Sequence, residues 1–376
     1  MLRDLLASVL RSLRAGRKGA ESLRDGARFA LDGQYERAIA ALLAAGPPRD
    51  ARTANLLGVC HSLLGRYAEA LAQYDAALSQ EPALADALTN AGWTATLLGN
   101  GKANGYFRRW LAANALPAHG AAPQAPRARL ADVELCCIDC SYHELAAHAL
   151  RATLARCEFD RAQFLSDRGC GVDGVAFVAI DPIRSLQAYS NFMVHRLHAH
   201  VASAHVLVIQ YDGFVLNPAA WDARFLDYDY IGPAVRLPDG RAGGIGGFSL
   251  RSRRLLEALR DDPEVRRYDA QKAPYAEDIA ICCAYRERLE RQHGLRFAPA
   301  EVADRFAAEA IVPTAEIFGF HNLMHLVNLY QNGFRFSERP GADLRIRFRA
   351  ATELGALDVE REIELRARGD AWARFL

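Results

Sequence analysis

The pattern of apolar and polar positions points first to one short buried strand. Residues His205–Gly213 have the sequence H-V-L-V-I-Q-Y-D-G, in which four consecutive apolar residues precede Gln210, Asp212 and Gly213. An apolar run without alternation is typical of a strand that is covered by helices on both faces of a sheet. Ligands of such sheets bind beyond the carboxyl ends of the strands. We therefore expect these polar residues to face a ligand, with a turn-capping role for Asp212 as the alternative.

Strand and helix patterns alternate through the second half of the chain. The predicted strands are Val133–Cys140, Gln163–Asp167, Val175–Ile180, Tyr228–Gly232 and Gly246–Leu250, and the predicted helices are His143–Arg156, Ser185–Val201 and Arg251–Leu259. This succession favours a parallel or mixed sheet with helices on both faces. Asp139 and Asp167 also follow predicted strands, so we expect them at the same carboxyl edge.

The first third of the chain has the pattern of a helical repeat. Between Asn55 and Pro82, small residues at 58, 70 and 77 allow two helices to approach closely, and Tyr67 and Tyr74 fill the space between them. The pattern resembles the tetratricopeptide repeat, and weaker copies precede and follow it. One helix pair cannot bury its own apolar face, so we expect about three repeats within residues 20–112. The resemblance implies a surface for a peptide or partner domain; a stacking or dimerisation module without its own ligand is the alternative.

Composition places the chain among ordinary globular proteins. The 376 residues are 51% hydrophobic and 24% charged, and the net charge of +1 gives no argument for a nucleic-acid partner. Eight cysteines in so long a chain are not a disulfide scaffold, and the C-x-x-C pair Cys137 and Cys140 lacks a second ligand pair, so we expect reduced thiols. No apolar run reaches membrane-spanning length, so we predict no transmembrane segment and a cytoplasmic location.

These patterns predict an α/β fold class with an N-terminal all-α array. We expect a basic amphipathic helix at 1–19, the repeats at 20–112, a proline-rich linker at 113–128, the α/β domain at 129–336 and a charged extension at 337–376.

Several segments of the α/β domain carry a resemblance to a known family. They are V-L-V-I-Q-Y-D-G-F-V-L-N-P-A-A-W, D-Y-D-Y-I-G-P-A, G-G-I-G-G-F-S-L-R-S, A-E-D-I-A and F-G-F-H-N. Together they resemble a bacterial domain family that is regarded as glycosyltransferase-like. Their order is similar to that of GT-A (Rossmann-like) nucleotide-sugar transferases, in particular the Fringe and β-galactosyltransferase group. The resemblance covers residues 130–335.

The resemblance implies a donor site at the end of the central strand. Related enzymes hold Mn²⁺ or Mg²⁺ and the donor phosphates with a D-x-D motif, whose place is taken here by Gln210, Tyr211 and Asp212. Since a neutral glutamine replaces the first acid, either His321 completes the cation site or the enzyme uses little metal. A structural histidine is the alternative role for His321.

The same resemblance assigns further roles around a glycine-rich loop. An acid in A-E-D-I-A would be the general base, with Asp278 as the first candidate and Glu277 as the second; helix capping is the alternative. Arg251 and Arg253 are expected to contact phosphate or to cover a helix surface. The remaining residues expected to bind the donor are Gly213, Gly246, Gly247, Ser249, Asp167 and Tyr189. For Tyr189, an aromatic residue on an amphipathic helix, a position in the core is the alternative.

The function expected from these motifs is glycosyl transfer from a nucleotide-sugar donor to a hydroxyl acceptor. The acceptor would be a protein or glycan that is bound with help from the repeats. The alternative is a non-catalytic tetratricopeptide scaffold with a degenerate transferase domain. A hydrolase or phosphotransferase is a third possibility, but the sequence has no P-loop.

Overall fold

The computed structural model of the chain describes residues 20–331 except for 45, 49, 99–101, 114–125, 237–241, 274, 310 and 312. The predicted helix at 1–19, most of the linker and the extension at 337–376 lie outside the described residues. The described residues belong to two compact units, one that ends at residue 113 and one that begins at residue 126.

The first unit is all-helical, which confirms the predicted helical region. Its described residues form three consecutive helix pairs, and a short turn joins the two helices in each of the first two pairs. The pairs are α1 (Ala20–Leu31) with α2 (Tyr35–Leu43), α3 (Ala51–Leu63) with α4 (Tyr67–Gln80), and α5 (Ala85–Leu98) with α6 (Ala103–Ala113).

Close approach within each pair depends on a glycine in its first helix. A Cβ atom added at that glycine would overlap a large side chain of the second helix, so only glycine allows the observed packing. The contacts are Gly26 with Leu42, Gly58 with Tyr74, and Gly92 with Phe107. The spacing of small and large residues in the sequence is thus the packing pattern of three similar helix pairs.

The second unit is built on a six-stranded mixed sheet. In their order across the sheet, the strands are β3 (Ala176–Ala179), β2 (Cys157–Ser166), β1 (Ala128–Ile138), β4 (His205–Ile209), β9 (Phe248–Ser252) and β6 (Tyr230–Ile231). The strands β1 to β4 are parallel to one another, and β9 is antiparallel to both β4 and β6. The mixed sheet with helices is the predicted fold class. Its first elements are β1 (Ala128–Ile138), α7 (His143–Leu154), β2 (Cys157–Ser166), β3 (Ala176–Ala179), α8 (Leu186–His195), β4 (His205–Ile209), β5 (Phe214–Val215) and β6 (Tyr230–Ile231). The elements that follow are β7 (Ala234–Arg236), β8 (Ala242–Gly244), β9 (Phe248–Ser252), α9 (Arg253–Asp261), α10 (Glu277–Ile279), α11 (Arg286–His293), α12 (Ala300–Phe306), β10 (Ala307–Ala308), β11 (Gly319–Phe320) and α13 (Leu323–Gln331).

Helices cover both faces of the sheet. Tyr189 and Met193 of α8 pack in one buried cluster with Val206 and Val208 of β4. On the opposite face, the ring of His143 in α7 contacts the ring of Phe164 in β2. Because both faces are covered, the residues Val206–Ile209 are fully buried, as the unbroken apolar run predicts.

Two predicted helix boundaries are wrong. Strand β9 continues to Ser252, whose hydroxyl accepts a hydrogen bond from the Leu255 amide and caps α9, so that helix begins at Arg253. Arg251 therefore lies on a central strand, where it is fully buried, and the expected surface or phosphate-contacting role is incorrect. The helix predicted over Ser185–Val201 ends at His195 and is followed by a 3₁₀ turn.

A small second sheet with the order β10-β11-β5 was not predicted. Each of its strands has two residues, which is too short for a recognisable hydrophobic pattern. This sheet determines where two candidate site residues lie, because β5 begins just after Asp212 and β11 ends just before His321.

The described helices include none that is both long enough and apolar enough to cross a membrane. None of the eight cysteines forms a disulfide, and six of them are buried.

Candidate active site

The pairing of β4 with β9 brings the first part of the site together. These antiparallel strands pair Ile209 with Phe248, so the chain leaves β4 at Gln210 where it enters β9 from Gly247. Asp212 follows Gln210 at this carboxyl edge, and its side chain is buried, with the residue 7% exposed. The glycine-rich loop and the Q-Y-D segment are therefore neighbours, although they are far apart in the sequence.

The small sheet brings the second part of the site, His321, next to the Q-Y-D segment. Its antiparallel pair β5 and β11 matches Phe214 with Phe320, so His321 comes opposite Gly213. A Cβ atom at Gly213 would overlap the Phe320 carbonyl oxygen, so glycine is needed for the close approach. Gly213 therefore acts by admitting the β11 backbone, and this approach places His321 beside Asp212.

His321 is held between three polar side chains. Its Nε2 atom forms a hydrogen bond with Gln210 Oε1 at 3.1 Å and lies 3.2 Å from Asp212 Oδ1, while Nδ1 lies 2.9 Å from Glu309 Oε2. Burial lowers the pKa of His321, but the carboxylates of Asp212 and Glu309 outweigh burial and raise the pKa well above its usual range. The environment therefore favours positive charge at this point.

Two adjacent glycines, Gly246 and Gly247, lie between the Asp212–His321 part of the site and Asp278. A Cβ atom at Gly247 would overlap the His321 ring, and one at Gly246 would overlap the Glu277 carboxylate and lie 3.4 Å from Asp278 Cβ. The Gly246 amide donates a hydrogen bond to Asp278 Oδ2 at 3.0 Å. His321 and Asp278 thus lie against neighbouring residues of one loop.

Asp278 has the properties of a proton acceptor near neutral pH. Burial and, to a smaller extent, the neighbouring Glu277 raise its pKa to about 7, although the Gly246 amide acts in the opposite direction. Glu277 differs, because it is 3% exposed and its Oε1 atom lies 3.0 Å from Arg251 NH2. With its carboxylate engaged by a buried guanidinium, Glu277 is poorly suited to exchange protons with a substrate, and Asp278 is the better candidate base.

The residues around Asp212 also fit a divalent cation. Apart from His321 Nε2 at 3.2 Å, the buried oxygen Asp212 Oδ1 has no polar partner among the described residues. Gln210 Oε1 and His321 Nε2 lie beside it, and Glu309 orients the imidazole from its other nitrogen, as carboxylates do behind many metal-bound histidines. The described part of the chain contains no group of three His, Cys, Asp or Glu side chains arranged for a metal ion. A cation here would therefore need oxygen ligands from a bound phosphate.

Three residues expected to bind the donor lie apart from this cluster. Ser249 is fully buried, and its hydroxyl donates to the Gly246 carbonyl, so it holds the loop. Tyr189 belongs to the hydrophobic cluster under the sheet, so the core role that competes with donor binding fits it better. Asp167 lies at the end of β2, where His143 and Arg184 each approach it at 2.8 Å.

Two features of the site were not predicted from the sequence: the presence of Glu309 beside His321, and the pairing of Arg251 with Glu277. Glu309 follows the two-residue strand β10 and belongs to no recognised motif, so no local signal marked it. The pairing of Arg251 with Glu277 depends on a register between segments 26 residues apart.

A comparison with protein families finds a match within the α/β unit. A family model described as "Protein of unknown function (DUF5672)" matches residues 174–321. The chain is similar to that family over this segment. The segment contains Gln210, Asp212, Asp278, Glu309 and His321, whereas Asp167 precedes it. The comparison with curated proteins finds no match.

Proposed function

We propose that the α/β unit transfers a sugar from a nucleotide-sugar donor to a hydroxyl group of an acceptor. The observation that carries the proposal is the convergence of Asp212, His321 and Asp278, from three distant segments, around the pair Gly246–Gly247. Glycosyl transfer to a hydroxyl needs stabilisation of the leaving diphosphate and a base that deprotonates the acceptor near neutral pH. The site around Asp212, which is compatible with a cation, would supply the first, and Asp278 would supply the second.

The donor diphosphate would bind beside Asp212. Asp212, His321 and Gln210 would hold Mn²⁺ or Mg²⁺, which when bound neutralises the phosphates and stabilises the nucleoside diphosphate as a leaving group. Since the protein supplies one carboxylate there, we expect the cation and the diphosphate to bind together. Because Gly247 has no side chain, the His321 ring lies directly against the loop, and the bound diphosphate would meet both.

Asp278 would act on the acceptor. Its carboxylate takes the proton of the acceptor hydroxyl while the hydroxyl oxygen bonds to the anomeric carbon. The bond from that carbon to the diphosphate oxygen breaks, and the nucleoside diphosphate leaves with the bonding electrons. The hydrogen bond from the Gly246 amide holds the carboxylate in place at the loop.

The helical unit would recruit the acceptor. We propose that its three helix pairs are tetratricopeptide repeats and that the acceptor is a protein, or a glycan carried by one. The glycine-mediated packing in all three pairs supports this proposal, since repeats of this kind present extended binding surfaces. We likewise propose a GT-A relationship for the sheet, with β4 as the strand that precedes the donor site.

The donor can be identified by a thermal-shift screen of nucleotide sugars with and without Mn²⁺. We expect one donor to raise the melting temperature of the full chain by about 5 °C when present at about 100 times its Kd. The Asp212→Ala variant should lose the shift, because it removes the carboxylate that the cation needs.

The matched control is Asp160→Asn, because Asp160 lies near the start of β2, at the edge opposite the site, and pairs with Arg129. This variant should keep the full shift. If no nucleotide sugar stabilises the wild-type chain, the transferase proposal fails and a non-catalytic scaffold becomes the better account.

A further inference from the structure

A buried ion pair lies directly under the glycine loop. Arg251 is fully buried on β9, and its NH2 atom lies 3.0 Å from Glu277 Oε1. Its Nε donates to Ser249 Oγ at 3.0 Å, and Ser249 Oγ donates to the Gly246 carbonyl at 2.8 Å. Two strand residues thus tie the loop to the residue that precedes Asp278.

The backbone amides of Glu277 and Gly246 form two further hydrogen bonds in this network. The Glu277 amide donates to Ser190 Oγ of α8 at 3.3 Å, and the Gly246 amide donates to Asp278 Oδ2 at 3.0 Å. Gly246 is therefore held at both its polar groups, with its carbonyl bonded to Ser249 and its amide to Asp278. Moving Arg251 or Glu277 would move the loop and the Asp278 carboxylate together.

We infer that Arg251 and Glu277 are positioning residues, whose buried ion pair holds the Asp278 carboxylate against Gly246 and sets how readily that carboxylate takes a proton. The inference rests on the proposed function in giving Asp278 a role as the base. Neither residue of the pair needs to contact a substrate. Arg251 supplies a fixed positive charge behind the loop, and Glu277 supplies a negative charge next to Asp278.

The titratable groups that interact with Asp278 lie on five different segments. They are Glu277 on its own helix, Arg251 on β9, Tyr230 on β6, Tyr268 after α9 and Cys282 in the π-helical turn after α10. Burial raises the pKa values of Tyr230, Tyr268 and Cys282, so these three are neutral near pH 7, and the electrostatic effect on Asp278 comes from Glu277 and Arg251. Glu277 raises the pKa of Asp278 and Arg251 lowers it, with Glu277 the stronger of the two.

The test is a titration of Asp278 in the full chain by ¹³C NMR of labelled aspartate carboxyls, with Asp278→Asn to assign the signal. Glu277→Gln should lower the titration midpoint by about one pH unit or more, and Arg251→Met should raise it. The double variant Glu277→Gln/Arg251→Met leaves no unpaired buried charge. Its midpoint should lie between those of Glu277→Gln and the wild type.

The control pair is Arg253 and Glu257, which are also 3.0 Å apart but about half exposed. Arg253→Met and Glu257→Gln should each shift the midpoint by less than about 0.3 pH unit, since solvent screens them. Midpoint shifts in the same direction for both buried single variants, or an unchanged midpoint in the double variant, would overturn the inference. If a single variant does not fold, the double variant decides.

This readout is independent of the donor screen. If no nucleotide sugar binds but the midpoints shift as expected, the proposed function fails while the coupling of the pair to Asp278 stands. If a donor binds and the midpoints do not respond, only the positioning role is wrong.

Discussion

Asp278→Asn is expected to lower the rate of sugar transfer by about 100- to 10,000-fold, which is the usual contribution of a general base. Asparagine keeps an oxygen that can accept the hydrogen bond from the Gly246 amide, so the loop and the donor site should be preserved. The stabilisation by the donor should therefore equal that of the wild type. Initial rates with the donor found in the thermal-shift screen, together with that shift, measure both effects.

The pH dependence gives the same prediction an independent check. Burial raises the pKa of Asp278 to about 7, so the base is mostly protonated below that pH and mostly ionised above it. The wild-type rate should therefore rise with pH up to about 7 and then level off, and the residual rate of Asp278→Asn should lack this step. A variant that keeps more than about a tenth of the wild-type rate would remove Asp278 from the mechanism.

Arg251→Met is expected to destabilise the α/β unit by about 3–5 kcal/mol, because it leaves the buried Glu277 carboxylate without its partner. Both side chains are almost completely buried, so water cannot take the place of the guanidinium. Hydrogen exchange of peptides that cover β9 measures this free energy in the α/β unit alone.

Two variants separate this effect from simple loss of packing. Glu277→Gln/Arg251→Met removes both charges of the pair, so neither is left without its partner and most of the loss should be recovered. Arg253→Met breaks an exposed pair of the same length and should cost about 1 kcal/mol or less. A double variant as unstable as Arg251→Met would show that shape rather than charge determines the stability at this position.

The elements with a strong periodic pattern were predictable from the sequence. The unbroken apolar run of β4 marked a strand buried on both faces, and the small and large residues around Gly58 and Tyr74 marked a helix pair. Asp212 was singled out because polar residues that follow a buried strand lie at its carboxyl edge. The glycines at 246 and 247 marked a place where other groups approach the backbone closely.

The contacts that assemble the site were not predictable in this way. His321 reaches Asp212 through a sheet whose strands have two residues each, and such strands carry no hydrophobic period. Glu309 acts behind His321 from a segment without a motif. The sequence favoured a helix from Arg251 onward, but the hydrogen-bonding partners that keep this arginine in a strand lie on β4 and β6.

The central claim is that Asp212 and His321 hold a cation together with a diphosphate, and electron spin-echo spectroscopy of Mn²⁺ tests it most directly. With Mn²⁺ and the nucleoside diphosphate of the identified donor both present, we expect coupling of the metal to an imidazole nitrogen. The coupling should vanish in Asp212→Ala and persist in Asp160→Asn. Mn²⁺ that binds with the diphosphate but shows no nitrogen coupling in the wild-type chain would contradict the account.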